Sequence, residues 1–192
     1  DPTLAFTVAG LQLGDTAGAV LTGELTRASG DGVTGSPYAI TQGTLTANSN
    51  YAINFTPNAL TISKAPLSIT ANSTSKTYGA ADPAFTVNYS GFVNTETPAV
   101  LGGTLQFSRA PGEIAGPHLI TPGGLTSPNY SITFNPGSLT IAPAPLTITA
   151  IARTKIYGAA LTLNGAAEFT SQGLLNGETI GSVTLTASGQ PA

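Results

Sequence analysis

The stretch Lys76-Thr77-Tyr78-Gly79-Ala80-Ala81 returns as Lys155-Ile156-Tyr157-Gly158-Ala159-Ala160, 79 positions later. A period as long as a small domain has to be settled before any local reading, because a missed repeat misassigns the whole fold. The same offset relates Tyr51-Ala52-Ile53-Asn54-Phe55 to Tyr130-Ser131-Ile132-Thr133-Phe134. It also relates Leu60-Thr61-Ile62-Ser63-Lys64-Ala65-Pro66-Leu67 to Leu139-Thr140-Ile141-Ala142-Pro143-Ala144-Pro145-Leu146. Asp1-Pro2 answers to Asp82-Pro83 at an offset of 81, so a residue or two was gained or lost in the loops between. The chain is therefore an array: a partial repeat over 1–64, a complete one over 65–143 and a partial one over 144–192. Residues 1–64 lack an opening strand equivalent to 67–71, and residues 144–192 stop near the equivalent of Arg109. The segment is expected to begin and end within repeats.

Within the complete repeat, Leu67-Ser68-Ile69-Thr70-Ala71 alternates apolar and hydroxyl side chains, the period-two pattern of a half-buried strand. After the polar run Asn72-Ser73-Thr74-Ser75, residues 84–89 place Phe85, Val87 and Tyr89 on one face. Residues 94–102 are the one helical candidate: Thr95 or Thr97 suits the cap, Pro98 the first turn and Gly102 the stop. It has room for little more than a turn. Leu105-Gln106-Phe107-Ser108, His118-Leu119-Ile120-Thr121 and Tyr130-Ser131-Ile132-Thr133-Phe134 alternate again. The turn signal Asn135-Pro136-Gly137 precedes a closing Leu139-Thr140-Ile141. Each repeat reads as five or six short strands with one helical turn, a mainly β unit. Its joints, Ile62-Ser63-Lys64-Ala65-Pro66-Leu67 and Ala142-Pro143-Ala144-Pro145, are short and proline-bearing, which makes semi-rigid spacers.

Composition narrows the function classes. Of 192 residues 41% are apolar, enough for a modest core in each unit, and only 8% are charged against about a quarter in ordinary domains. Six basic residues and a net charge of −3 argue against a nucleic-acid partner, which needs a dense basic face, and against an anionic membrane surface. With no cysteine there are no disulfide staples or thiolate sites. No 18-residue apolar run exists to insert in a membrane as a helix.

Taken together, the Pro-Leu-x-Ile-Thr-Ala strand, Lys-x-Tyr-Gly-x, Asp-Pro and the terminal Asn-Tyr-x-Ile-x-Phe followed by Leu-Thr-Ile resemble the bacterial MBG repeat of the Tyr-Gly-x type. The resemblance spans the whole chain. The third repeat departs most, with Ala160-Leu161-Thr162-Leu163 where Ala81-Asp82-Pro83-Ala84 stood, so the Asp-Pro corner is not required throughout. The resemblance implies tandem repeats in a large secreted or cell-surface protein, an adhesin-type context beside a filamentous-haemagglutinin-like secretion domain, with any export signal outside this segment. It brings no catalytic residues. For the unit itself it leaves a β-grasp-like fold, which suits the helical turn, and an immunoglobulin-like β-sandwich.

The chemistry-bearing residues are few. His118 is the only imidazole, and the preceding repeat holds Tyr38 in its place, which suits an amphipathic strand-end side chain better than a triad member. Asp15, Glu96 and Glu178 recur just before a threonine at the helical turn. Two readings are a carboxylate favoured by the helix N-terminus and a calcium ligand at a domain joint, and the first is preferred. Lys76 and Lys155 invite a Lys–Asn isopeptide crosslink, which needs a buried lysine, and the alternation does not clearly bury Lys76. Tyr78 and Tyr157 are expected to plug the core edge while Gly79 and Gly158 take a turn at positive φ. No Gly-x-Ser-x-Gly elbow, dinucleotide fingerprint or P-loop occurs. The sequons at Asn54, Asn72, Asn88 and Asn129 are of the kind that arise by chance in so Asn-, Ser- and Thr-rich a chain.

No catalytic, cofactor-binding or metal-ligating residue is assigned. The expected function is a non-catalytic, semi-rigid stalk or spacer whose partners are the neighbouring repeats. The alternative is a binding module for a glycan or host surface protein, presenting Tyr38, Tyr51, Tyr89 and Tyr130 to sugar faces. Tyr51 and Tyr130 alternate in phase with Ile53, Phe55, Ile132 and Phe134, which places them instead on the core face.

Overall fold

A computed structural model describes residues 1–186. They are mainly β. The first repeat carries a four-residue helix α1 (Ala17–Val20) and strands β1 (Leu21–Thr22), β2 (Thr26–Arg27), β3 (Tyr38–Thr41), β4 (Thr46–Ala47) and β5 (Asn58–Leu60). The second carries β6 (Ala65–Ala71), β7 (Thr74–Thr77), β8 (Val87–Ser90), β9 (Gly102–Arg109), β10 (Gly116–Thr126), β11 (Tyr130–Asn135) and β12 (Gly137–Ala142). The third carries β13 (Thr147–Ala150) and β14 (Phe169–Gln172).

The alternation at 67–71 forms the strand it predicts: Leu67, Ile69 and Ala71 of β6 are 1, 0 and 3% exposed. β6 is the middle strand of a three-stranded sheet ordered β11-β6-β8. A second sheet, ordered β7-β12-β10-β9, contains one parallel pair, β12 with β7, in the register Leu139↔Thr74 to Ala142↔Thr77. β10 pairs antiparallel with β12 from Gly116↔Ile141 to Ile120↔Gly137. Ala71 packs with Ile120, Leu139 and Ile141 in a buried cluster bordered by Tyr78, Phe85 and Phe107. Ala71, the last residue of β6, thus packs with side chains of β10 and β12. The helical candidate at 94–102 shrinks to a 3-10 turn, Pro98–Val100, too short to cover a sheet face. Pro98 sits at its start as expected; Thr97 holds the cap position but its hydroxyl makes no capping bond.

The second repeat therefore has seven strands, not five or six. The extra one is β7, within the polar run and Lys76-Thr77. Its signal is hidden because its half-buried positions are Thr74 and Lys76, and its stability comes from the main-chain ladder with β12.

The described residues pack as two compact units. One comprises Asp1–Ile69, Tyr89–Leu105 and Gly124–Thr133. The other comprises Thr70–Asn88, Gln106–Gly123 and the chain from Phe134 onward. In the first, Val20, Tyr38, Leu45, Leu67, Ile69 and Tyr130 are buried, and the Phe92 ring stands edge-on to Tyr130 with centroids 5.4 Å apart. In the second, Phe85 and Phe107 stack edge-on at 5.8 Å beside the cluster above.

Candidate functional site

Three polar constellations recur from repeat to repeat, and each closes on the chain's own groups. The first centres on an arginine. Arg109 donates from Nε to Asp82 (2.7 Å), from Nη1 to the carbonyls of Ala110 (2.9 Å) and Gly112 (2.6 Å), and from Nη2 to Glu113. Arg27 does the same with Asp1 (2.7 Å), Ala28 (2.9 Å), Gly30 (2.6 Å) and Asp31 (2.5 Å). The planar fork of guanidinium donors suits such multidentate closure. Neither arginine stands out in the sequence, since one basic residue at the end of a strand carries no periodicity; only aligning the repeats pairs them.

In the second repeat Lys76 joins the cluster, its Nζ 2.7 Å from Asp82 and 2.5 Å from Glu113. Contrary to the alternation-based reading, its side chain is only 5% exposed. A Lys–Asn crosslink needs a neutral amine facing an amide. Lys76 instead faces two carboxylates, and hydrogen bonds first to Asp82 and then to Glu113 raise its pKa above the ordinary lysine value. Asp82 and Glu113 are lowered, each chiefly by its hydrogen bond to Lys76. Paired-carboxylate hydrolysis needs one acid held protonated, and this arrangement holds both ionised. Lys155, the equivalent of Lys76, is exposed.

The second constellation is the acidic turn. Residues 12–15, 93–96 and 175–178 form the same tight turn, closed by Asp15 N–H to Gln12 O (3.0 Å), Glu96 N–H to Val93 O (3.0 Å) and Glu178 N–H to Leu175 O (2.9 Å). The two central residues have positive φ each time: Leu13 and Gly14, Asn94 and Thr95, Asn176 and Gly177. That is the signature of a type I′ turn. The carboxylate that follows does not interact with a helix N-terminus, as the sequence reading preferred; it accepts a tyrosine hydroxyl. Tyr51 donates to Asp15 (2.7 Å) and accepts from Gln12 N–H (3.0 Å). Tyr130 donates to Glu96 and accepts from Val93 N–H (3.1 Å). Burial and then the Glu96 carboxylate raise the Tyr130 phenol above its ordinary value. In the third repeat the donor is Tyr78, whose hydroxyl reaches Glu178 (2.9 Å) and accepts from Asn176 Nδ2 (3.1 Å). The ring of Tyr78 packs on the core edge as expected, and Gly79 and Gly158 take φ +84° and +79°, but Tyr157, expected to plug the core edge likewise, is fully exposed. Among the described residues no three acidic or imidazole groups gather where a metal ion could sit.

The third constellation sits at a strand end. Tyr38 donates to Gly32 O (2.7 Å), and His118 Nε2, in the same place, donates to Ile114 O (2.8 Å). The imidazole thus reproduces the phenol's bond, the strand-end role expected of it. Of the four tyrosines offered as a sugar-stacking set, Tyr38 and Tyr130 are buried and Tyr51 and Tyr89 are half-buried, with Tyr89 against Phe92 at 5.8 Å.

Around the first joint, Lys64 Nζ donates to Ser127 O (2.9 Å), Ala65 N–H to Asn129 O (3.0 Å) and Val33 N–H to Asn129 Oδ1 (3.1 Å). Asn129, noted in the sequence only as a sequon, is a joint residue. In the third repeat Glu168, 7% exposed, takes an ion pair from Arg153 at 3.2 Å, and its Oε2 has no partner among the described residues.

Neither a curated protein nor a solved structure matches the chain. The family model for the MBG domain (YGX type) matches it twice, over residues 1–61 and 67–140. These two matches take in the Tyr-Gly motif and two of the three acidic turns, and by them this chain belongs to the MBG domain family of the YGX type.

Proposed function

We propose that this segment is a non-catalytic structural spacer, a semi-rigid stalk of tandem MBG repeats in a secreted or cell-surface bacterial protein of adhesin type. One observation carries the reading: the polar groups that recur between repeats are satisfied by the chain itself. Arg27 and Arg109 tie down their loops, and Tyr51 and Tyr130 hold the acidic turns. Lys64 and Asn129 bond across the first joint. Polar residues reserved for a ligand would be left unpaired, pointing into a cleft. Units joined in this way are coupled chiefly to their neighbours, so stability and length build up repeat by repeat.

Small-angle scattering on arrays of increasing repeat number tests the proposal. The maximum dimension is expected to grow linearly with repeat number. A compact particle of nearly constant dimension would overturn the stalk, and saturable binding to a glycan or matrix-protein array would put the binding module in its place.

A further inference from the structure

We infer that the Tyr-Gly corner of one repeat is a recognition site for the acidic turn of the repeat that follows. The partner it fits is a type I′ turn with an apolar residue first, a side-chain amide second and a carboxylate fourth. The site is occupied within this chain. Tyr78 and Gly79 belong to the second repeat, and Leu175, Asn176 and Glu178 to the third. Both groups lie in the same compact unit, which brings Thr70–Asn88 together with the chain from Phe134 onward.

The corner is fixed by its own repeat. Two residues upstream, Lys76 is held by Asp82 at 2.7 Å and Glu113 at 2.5 Å. Tyr78 N–H donates to Ala142 O at 2.8 Å, just past the parallel ladder of β7 with β12. Ala80 N–H donates to Thr77 O at 3.0 Å and closes the turn over Tyr78-Gly79. Ala142 opens the joint Ala142-Pro143-Ala144-Pro145, so the corner is anchored where the chain leaves for the third repeat. The phenol and the Cβ-less Gly79 then make contacts beyond their own repeat.

The phenol donates to Glu178 Oε1 at 2.9 Å and accepts from Asn176 Nδ2 at 3.1 Å. A Cβ on Gly79 would stand 2.5 Å from Leu175 Cδ1, so the leucine takes the space that another side chain would need. The mode differs from the one by which a repeat holds its own turn. Tyr51 and Tyr130 accept from the backbone N–H of the first turn residue, Gln12 or Val93. Tyr78 accepts instead from the side chain of the second, and so reads the identity of the turn as well as its shape. Val93-Asn94-Thr95-Glu96 carries the same recognition set as Leu175-Asn176-Gly177-Glu178. Gln12-Leu13-Gly14-Asp15 has the same backbone closure but neither the apolar first residue nor the amide at the second place. Lys76-Thr77-Tyr78-Gly79 thus has two halves: the lysine closes on its own repeat and the Tyr-Gly pair holds the next. The inference stands whether the array is a stalk or a binding module.

Amide hydrogen exchange on the whole chain tests this, because it reads the opening of each repeat separately. Tyr78→Phe is expected to lower the protection of β13 and β14 in the third repeat about fivefold, the loss of one net hydrogen bond. Protection of β10 and β12 in the second repeat should stay as in the parent. Glu178→Ala should act in the same way, and the double variant should fall well short of the product of the two effects. Asn176→Leu, which installs the residue found at Leu13, should also lower third-repeat protection while the turn persists. Tyr130→Phe, which breaks a bond inside the second repeat, should leave β13 and β14 unchanged. An equal loss in both repeats on Tyr78→Phe would make Tyr78 a folding residue of its own repeat and overturn the inference. Multiplicative effects of Tyr78→Phe and Glu178→Ala would overturn it by removing the direct link. Unprotected β13 and β14 amides in the parent chain would do the same, since a repeat held by its neighbour is an ordered one.

Discussion

Arg109 directs its guanidinium at two carboxylates and two carbonyls, and Arg27 does the same in the preceding repeat, so at the residue scale the fork matters as much as the charge. Arg109→Lys keeps the charge and loses the geometry; it is expected to lower the Tm clearly, and a mild shift equal to that of an exposed Arg153→Lys control would refute the role. The same cluster predicts a pH dependence. Asp82 and Glu113 are lowered from 3.8 and 4.5, so their contribution is full above those values and disappears as pH falls through the lower folded-state pKa values. Lys76 is raised from 10.5, so its contribution is full below that value and is lost as pH rises through the folded-state pKa. Melts across pH should show an acid limb that Lys76→Met removes in part. Tyr78 divides its role between ring and hydroxyl. Tyr78→Phe, which loses only the bonds to Glu178 and Asn176, should cost about 1 kcal/mol. Tyr78→Ala should cost about 3 kcal/mol, because the core edge is lost too. Equal effects in urea titrations would mean that the ring contributes nothing.

At the scale of elements, equivalent alternating sequences take different forms: 130–134 lies in strand β11, beside β6, whereas 51–55 is irregular. Glycine positions report the same distinction. Gly91→Ala should destabilise both through positive φ and by pushing the new methyl against the Pro66 carbonyl, whereas Gly10→Ala meets only the φ penalty. Denaturant midpoints of the two variants should therefore fall in that order, and the reverse order would contradict the strand approach. In the cluster of Ala71, Ile120 and Ile141, Leu139→Ala removes a fully buried side chain and should cost about 3 kcal/mol.

For the molecule as a whole, what matters is how repeats communicate. Asn129 holds Val33 N–H, in the first repeat, through its side chain and Ala65 N–H, within the joint at 62–67, through its backbone. Asn129→Ala removes the first bond only. It should cost about 1 kcal/mol and broaden the calorimetric melt as residues 1–64 lose coupling to the next repeat. A melt as sharp as wild type would place the coupling elsewhere, in the short proline-bearing joint itself.

The sequence by itself determined the array, its period, the mainly β character and the phase of β6, β11 and β12. These follow from local alternation and self-similarity, which need no knowledge of what packs where. It also placed Gly79 and Gly158 at positive φ, because the Tyr-Gly pair recurs intact, but not the tyrosine ring, which packs on the core edge at Tyr78 and is exposed at Tyr157. Only the tertiary structure decided the partners. Asp82 and Glu113 are 31 positions apart and meet over Lys76 and Arg109. Tyr78 and Glu178 are 100 positions apart and share a hydrogen bond. β7 is a strand because a parallel neighbour, β12, supplies its ladder, a long-range fact that its polar residues do not signal. Periodicity reports which face of an element is buried; which opposite charge or hydroxyl waits across the gap is set by the sheets' packing.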